Sequence, residues 1–431
     1  MPRRLSCQAR TDYGEVRTMK IVAKGLGLVL AFSLSAGLLP AARSQQQEQI
    51  TALFISDKTW VPDVTKDFES KTGIHVNVVL SDYGDMLTKL AAAAAAKTGA
   101  YDVISADIPA WWAAGYLAPL EQRINALPGK SDVLSIDIAS YKGHLYGMPW
   151  LIDNRVFVYN AKMLKDAGIS EPPKTWSALL SQAEAVKGKG MAYPIMFPWA
   201  QHEGEFCDYA AVLASYGGRL FDDQYTKVLF NGPEGVAALT TWTDLYRKNL
   251  VNRDALASKS FAVSTTLSQG KATFGTTWSL LRGMFDDPAK SKVVGQLHVM
   301  LYPGGKAGMT GTYDGSESLG IAADSKHADA AWKYIEFLTG KDMERQVFIK
   351  EKILPIWKSY YNDPELIKAD PDLPTILAQR KHIILRPAVV WYNEFSQIMQ
   401  AALLQAVTGK KSPKEALDGA AAETAKVMKR Q

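Results

Sequence analysis

From Gln49 onward the apolar positions alternate between two periods. Gln49–Ile55, Ile74–Leu80 and Val103–Ser105 are short β-rich runs. Between them, Trp60–Thr72 carries Val61, Val64 and Phe68 on one helical face and stops at Gly73. Tyr83–Lys97 also reads as helix, because Ala91–Ala96 is an unbroken run of the best helix former. Strand, helix, strand, helix, strand at these lengths predicts right-handed crossovers and a parallel sheet covered by helices. Further on, Val156–Tyr159 reads as a strand and Trp176–Lys187 as a helix capped by Thr175. Helices are also expected from Gly232-Pro233 into Tyr246 and over Ala328–Leu338. Phe395, Ile398, Met399, Ala402, Leu403 and Ala406 share a helical face that closes at Gly409. Ser412-Pro413-Lys414-Glu415 has the form of a capping box with proline at the first helical position. With no tandem repeat and no long linker, the pattern describes one α/β body of two lobes.

The first 44 residues follow another pattern. Lys20 and Lys24 precede an apolar run, Leu26–Leu39, and Ala42-Arg43-Ser44 follows it. This is the form of a secretory signal peptide cut after Ser44, with residues 1–18 as an upstream extension. The run is short for a membrane span, and no cysteine follows it to carry a lipid. The expectation is an exported, periplasmic protein without a lipid anchor. The leader also changes the meaning of the charge. A formal net charge of +5 invites a nucleic-acid or membrane partner. Residues 1–44 hold seven basic and two acidic side chains, however, which leaves 42 of each in the remainder. The basic excess therefore belongs to the leader and gives a nucleic-acid partner no support. Two cysteines, Cys7 and Cys207, exclude a disulfide scaffold, and Cys207 reads as a small buried hydrophobe.

Motifs of known chemistry are missing. His202-Glu203 begins like a zinc-protease helix, but Phe206 stands where the second histidine belongs. There is no Cys/His zinc spacing, P-loop, GxSxG or EF-hand, and Gly25-Leu26-Gly27 lies in the leader. Asp222-Asp223 and Asp286-Asp287 read as solvated turns. No metal or cofactor is expected, and no enzyme. A glycosidase stays open only because two carboxylates brought together by a fold would suffice for it.

The informative residues follow the strands. Ligands of open α/β sheets bind beyond the carboxyl ends of the strands. Asp57, Lys58 and Trp60 follow the first strand, Asp82 and Tyr83 the second, and Asp107, Trp111 and Trp112 the third. Carboxylates with tryptophans suit a sugar or polyol, whose hydroxyls bond charged groups and whose C–H face packs on a ring. Each position also has a packing reading. Trp60 could cover a helix start, one of Trp111 and Trp112 could be core, and Asp57 and Asp82 could cap helices. Trp176 and Trp332 sit in helical patterns and read as packing.

At this point the chain resembles a known family. Tyr101-Asp102-Val103-Ile104 through Gly115-Tyr116-Leu117-Ala118-Pro119-Leu120, then Tyr141-Lys142-Gly143-His144-Leu145-Tyr146-Gly147-Met148-Pro149, are similar to segments of the extracellular solute-binding proteins of ABC importers. Val158-Tyr159-Asn160, Ala167-Gly168-Ile169, Pro172-Pro173-Lys174-Thr175-Trp176, Gly270-Lys271-Ala272-Thr273 to Trp278, and Ser325-Lys326 to Ala331-Trp332 follow in family order. The set spans residues 49–431 and is most similar to the carbohydrate-binding branch that includes maltose-binding protein.

The resemblance implies a venus-flytrap fold, each lobe a mainly parallel sheet flanked by helices. It implies three crossings, near Leu151–Asn154, Gly315–Gly320 and Pro371–Gln379, with Gly315 and Gly320 as hinge residues. One lobe would take residues 45–151 and 319–372, the other 152–318 and 373–431. Among site residues it implies an acid–lysine pair at Asp57 and Lys58, acidic contacts at Asp107 and Asp153, and stacking tryptophans at Trp278 and Trp391. In the loop Trp199–Phe206, His202, Glu203 and Glu205 compete for one acidic role, and Tyr313, Asp314 and Ser316 border the second crossing. The implied function is a monomeric receptor that binds a sugar, oligosaccharide or polyol between its lobes and delivers it to an ABC permease. The loops depart from the family pattern, so maltose itself does not follow. Alternatives are a phosphorylated polyol held by Arg155, Arg219 and Arg282, a polyamine, a peptide, or a secreted carbohydrate-active enzyme.

Overall fold

The computed structural model describes residues 48–430, so the expected leader and its cleavage site lie outside the described residues. Seven strands position the site. They are β1 (Gln49–Ile55), β2 (His75–Ser81), β3 (Val103–Ala106), β4 (Met148–Leu151), β5 (Arg155–Asn160), β6 (Phe274–Trp278) and β7 (Glu317–Ile321). The first sheet has the order β2-β1-β3-β7-β4. β1 pairs in parallel with β2 and β3, as the alternating pattern requires. The crossovers run through α1 (Val61–Thr72) and α2 (Tyr83–Ala96). α1 buries Val61, Thr65 and Phe68, ends on Gly73 at φ +72°, and packs Phe68 against Tyr334 and Phe337. β3 is buried along its whole length, the mark of a strand covered on both faces.

The second sheet sets Leu297–Met300, β5, β6 and Ile195–Met196 side by side. Here the expectation of mainly parallel sheets needs correction. β5 is antiparallel to both of its neighbours, and in the first sheet β7 is antiparallel to β3 and β4. The antiparallel strands are those beside the crossings. β4 leads out of the first sheet, Ile152–Asn154 form the link, and β5 opens the second. The return runs from Thr312–Tyr313 through Asp314–Ser316 into β7.

Neither Gly315 nor Gly320 has the left-handed φ of a special hinge glycine. Gly320 sits inside β7, opposite Ile104. A Cβ there would meet Leu117 at 2.7 Å and the Tyr146 carbonyl at 2.9 Å, so this glycine serves close packing. Helices α3 (Glu203–Ser215), α4 (Ser260–Ser268) and α5 (Tyr392–Val407) complete the frame. Among the described residues no helix is long and apolar enough to cross a membrane.

Candidate functional site

The carboxyl ends of β1 and β3 meet the end of β6, the start of β7 and the N-termini of α3 and α4 around a cavity of about 200 Å³. From the first sheet come Asp57, Asp107 and Glu317; from the first crossing comes Asp153. From the second sheet side come His202, Glu203, Lys259, Phe261, Trp278 and Arg386.

Lys58 is the buried centre of the first-sheet acids. It is fully buried, and its Nζ lies 2.6 Å from Asp57 Oδ1 and 2.7 Å from Glu317 Oε1. Burial alone would lower its pKa, but the two carboxylates outweigh burial and raise it, so the ammonium stays charged. The other oxygen of Glu317 accepts from Ser105 Oγ at 2.6 Å. Lys58 therefore orients the two acids and does not itself line the cavity.

Asp153 sits in the first crossing. It accepts from the Asn154 amide at 2.9 Å, from the Leu280 amide at 3.2 Å and from the Ser279 hydroxyl. Burial pushes its carboxyl up to about 7, with the Ser279 and Leu280 bonds opposing. Trp278 ends β6, held from one side by the Arg155 guanidinium, 4.8 Å from the ring centroid. Arg155 is itself fixed by Asp208 at 2.8 Å and Ser260 Oγ at 2.9 Å. The edge of the indole lies against Gly315, where a Cβ would stand 2.3 Å from Trp278 Cζ3. The glycine at this crossing leaves room for the tryptophan.

The N-terminus of α3 divides the three competitors. His202 is the N-cap: its Nδ1 accepts from the Gly204 amide at 3.1 Å, and burial lowers its pKa. Glu203 lines the cavity and accepts from the Tyr392 and Ser396 hydroxyls. Glu205 does not line it. Its side chain is fully buried, neither carboxylate oxygen has a hydrogen-bond partner, and burial raises its pKa well above the usual range.

Other expected residues are placed elsewhere. Trp60 stacks on Trp150 at 5.6 Å, covering the start of α1. Asp82 is the N-cap of α2 and accepts from the Gly84 amide. Trp111 and Trp112 are both buried. Trp199 is fully buried against Phe197 and Trp242, and Trp391 packs edge-on to Phe221 and Phe395. These rings fill the space beneath the loops, where large apolar side chains gain most from burial. Tyr313 lies behind the cavity wall, 3.2 Å from the Tyr392 hydroxyl. Asp314 binds Arg380 and Ser316, and both Asp314 and Ser316 line a smaller neighbouring space. The three arginines considered for phosphate are absent from the cavity lining. Arg155 pairs with Asp208, Arg282 with Asp370, and Arg219 with Asp223 at the surface.

Sequence reasoning missed Glu317 and Arg386. Glu317 had a weak signal, an acid opening the short buried strand Glu317-Ser318-Leu319-Gly320-Ile321. Arg386 had none, being a single arginine in an aperiodic loop. Its Nη1 lies 2.5 Å from Asp107 Oδ2, 3.0 Å from the Asp107 carbonyl and 3.2 Å from the Tyr83 hydroxyl. Its Nη2 is 3.7 Å from Glu203, and the guanidinium covers the Tyr392 ring. It thus ties the end of β3 to α3 and α5.

Residues 51–345 match the family profile described as bacterial extracellular solute-binding protein. The diacetylchitobiose binding protein of Streptomyces coelicolor is 26% identical over 308 residues, 70% of each chain. An ABC transporter solute binding protein of Thermotoga lettingae, bound with α-D-tagatose, superposes with a TM-score of 0.80 at 26% identity, covering 88% of this chain and 99% of that one. Another from Agrobacterium radiobacter, in complex with ribitol, gives 0.78 at 26% identity, covering 88% and 98%.

Proposed function

The chain belongs to the bacterial extracellular solute-binding proteins, and from that premise we propose that it captures a neutral polyhydroxylated solute, a sugar or polyol, and hands it to an ABC permease. The observation that carries this reading is the cavity lining. Asp57, Asp107, Asp153, Glu203 and Glu317 gather around Trp278, with Arg386 and Lys259 as the cations at the wall. Hydroxyls donate to carboxylates and the ring takes the C–H face of the solute. An anionic solute would meet an acidic wall, so a phosphorylated polyol is disfavoured. The sugars and polyols bound by the relatives above are of the favoured class.

In this reading the two lobes follow sheet membership. Among the described residues, one takes 48–151 and those from Glu317 to about 372; the other takes 152–316 and 373–430. The ligand bonds groups from both sheets only when the lobes are closed, so its differential affinity shifts the population toward closure. Capture needs no turnover, and the protein acts as a monomeric receptor. Export would use the leader, cut after Ser44, with no lipid anchor.

A thermal-shift screen over hexoses, hexitols, pentitols, disaccharides, amino acids and polyamines tests this. The cognate solute at 100 times its Kd stabilises by about 2.7 kcal/mol. A shift with polyamines alone would replace the sugar with a cation, the second solute an acidic, aromatic cavity fits. Release of reducing sugar with turnover would overturn the receptor reading.

A further inference from the structure

The cavity shares a wall with a second, smaller space of about 110 Å³. Among the described residues only two line both: Asp107 and Arg386. Their ion pair is therefore the partition. Beyond it, the smaller chamber offers Asp137, Ser140, Asp314 and Ser316 as hydroxyl partners, with Trp112 as an aromatic surface. The partition is not fully bonded. Arg386 is 7% exposed, and its Nε–H, although buried, has no hydrogen-bond partner. A buried donor without a partner is costly, and an acceptor entering the cleft would relieve it.

Resting on the sugar or polyol reading, we propose that Arg386 is the specificity gate of this cleft. Paired with Asp107, it separates the 200 Å³ cavity from the 110 Å³ space beyond. With Arg386 displaced, the chambers join, and a second ring finds the hydroxyl partners and Trp112 beyond the gate. The gate thus favours single-ring solutes by denying a second ring the partners beyond the pair, a discrimination through an unfavourable contact.

Isothermal titration with glucose, mannitol, ribitol, maltose and cellobiose tests the gate. The proteins are the wild type, Arg386→Ala and the double variant Asp107→Asn/Arg386→Gln. The double variant keeps neutral partners and avoids stranding a buried charge. The wild type should bind its best single-ring or polyol probe at least about 100-fold tighter than either disaccharide, and a folded variant should narrow that ratio at least about tenfold. An unchanged ratio in the folded double variant overturns the gate alone. So does a wild type that binds a disaccharide as tightly as a monosaccharide. A wild type that binds none of the five probes overturns the sugar reading, and the gate with it.

Discussion

The tryptophans expected at the ligand are placed differently, and the reason lies in what surrounds each. Trp278 stands at a strand end where an arginine takes one side and a glycine leaves space for its edge. Trp199 and Trp391 stand among phenylalanines and tryptophans, so burial wins. Sequence shows the aromatic residue but not the neighbours that decide its face, because those neighbours come from distant segments. The packing of Gly315 supports a test of the stacking platform. Gly315→Ala places a methyl 2.3 Å from Trp278, so the ring must move. Overpacking of this kind costs about 1–3 kcal/mol. Calorimetric titration should show ligand affinity falling by about tenfold or more, while Gly320→Ala, also crowded but inside β7, should lower Tm without a comparable loss in affinity.

At the scale of elements, the local signals were legible. Thr175 caps its helix through the Ala178 amide, and Ser412 and Glu415 form the reciprocal capping box. The β1–α1–β2–α2–β3 unit was read in order because each part is contiguous and the crossover rule fixes its sense. The direction of β7 was not legible, since its partners β3 and β4 lie more than 160 residues earlier and alternation carries no direction. The same distance hid Glu317, whose partner is Lys58. Asp82 shows how one residue can satisfy both a ligand reading and a capping reading. Its side chain accepts from the Gly84 amide, so Asp82→Ala should cost about 1 kcal/mol in thermal unfolding. Affinity for the solute should change by less than about twofold; a loss like that expected of Gly315→Ala would return Asp82 to the binding surface.

For the whole molecule, Asp153 stands where both sheets and the cavity meet. Its carboxyl bonds Ser279 and Leu280 after β6, while Lys58 and Glu317 act on it from the first sheet. Burial raises its folded pKa to about 7, above the usual value of 3.8. Between those values the folded protein holds a proton that the unfolded chain has lost. Asp153 therefore contributes a stability that declines as pH rises from about 4 to about 7 and is level beyond. Binding reverses the preference. A solute hydroxyl donating to Asp153 favours the carboxylate, so closure on ligand lowers this pKa and affinity rises through neutrality. A one-unit decrease on binding raises affinity by up to about tenfold across the window. His202 also faces the cavity, and burial lowers its pKa from the usual value, away from neutrality. Titrations from pH 6 to 8.5 should thus show rising affinity in the wild type and a flatter profile in Asp153→Asn. A profile equally steep in both proteins would move the titrating group off the crossing, and with it the link between hinge and ligand.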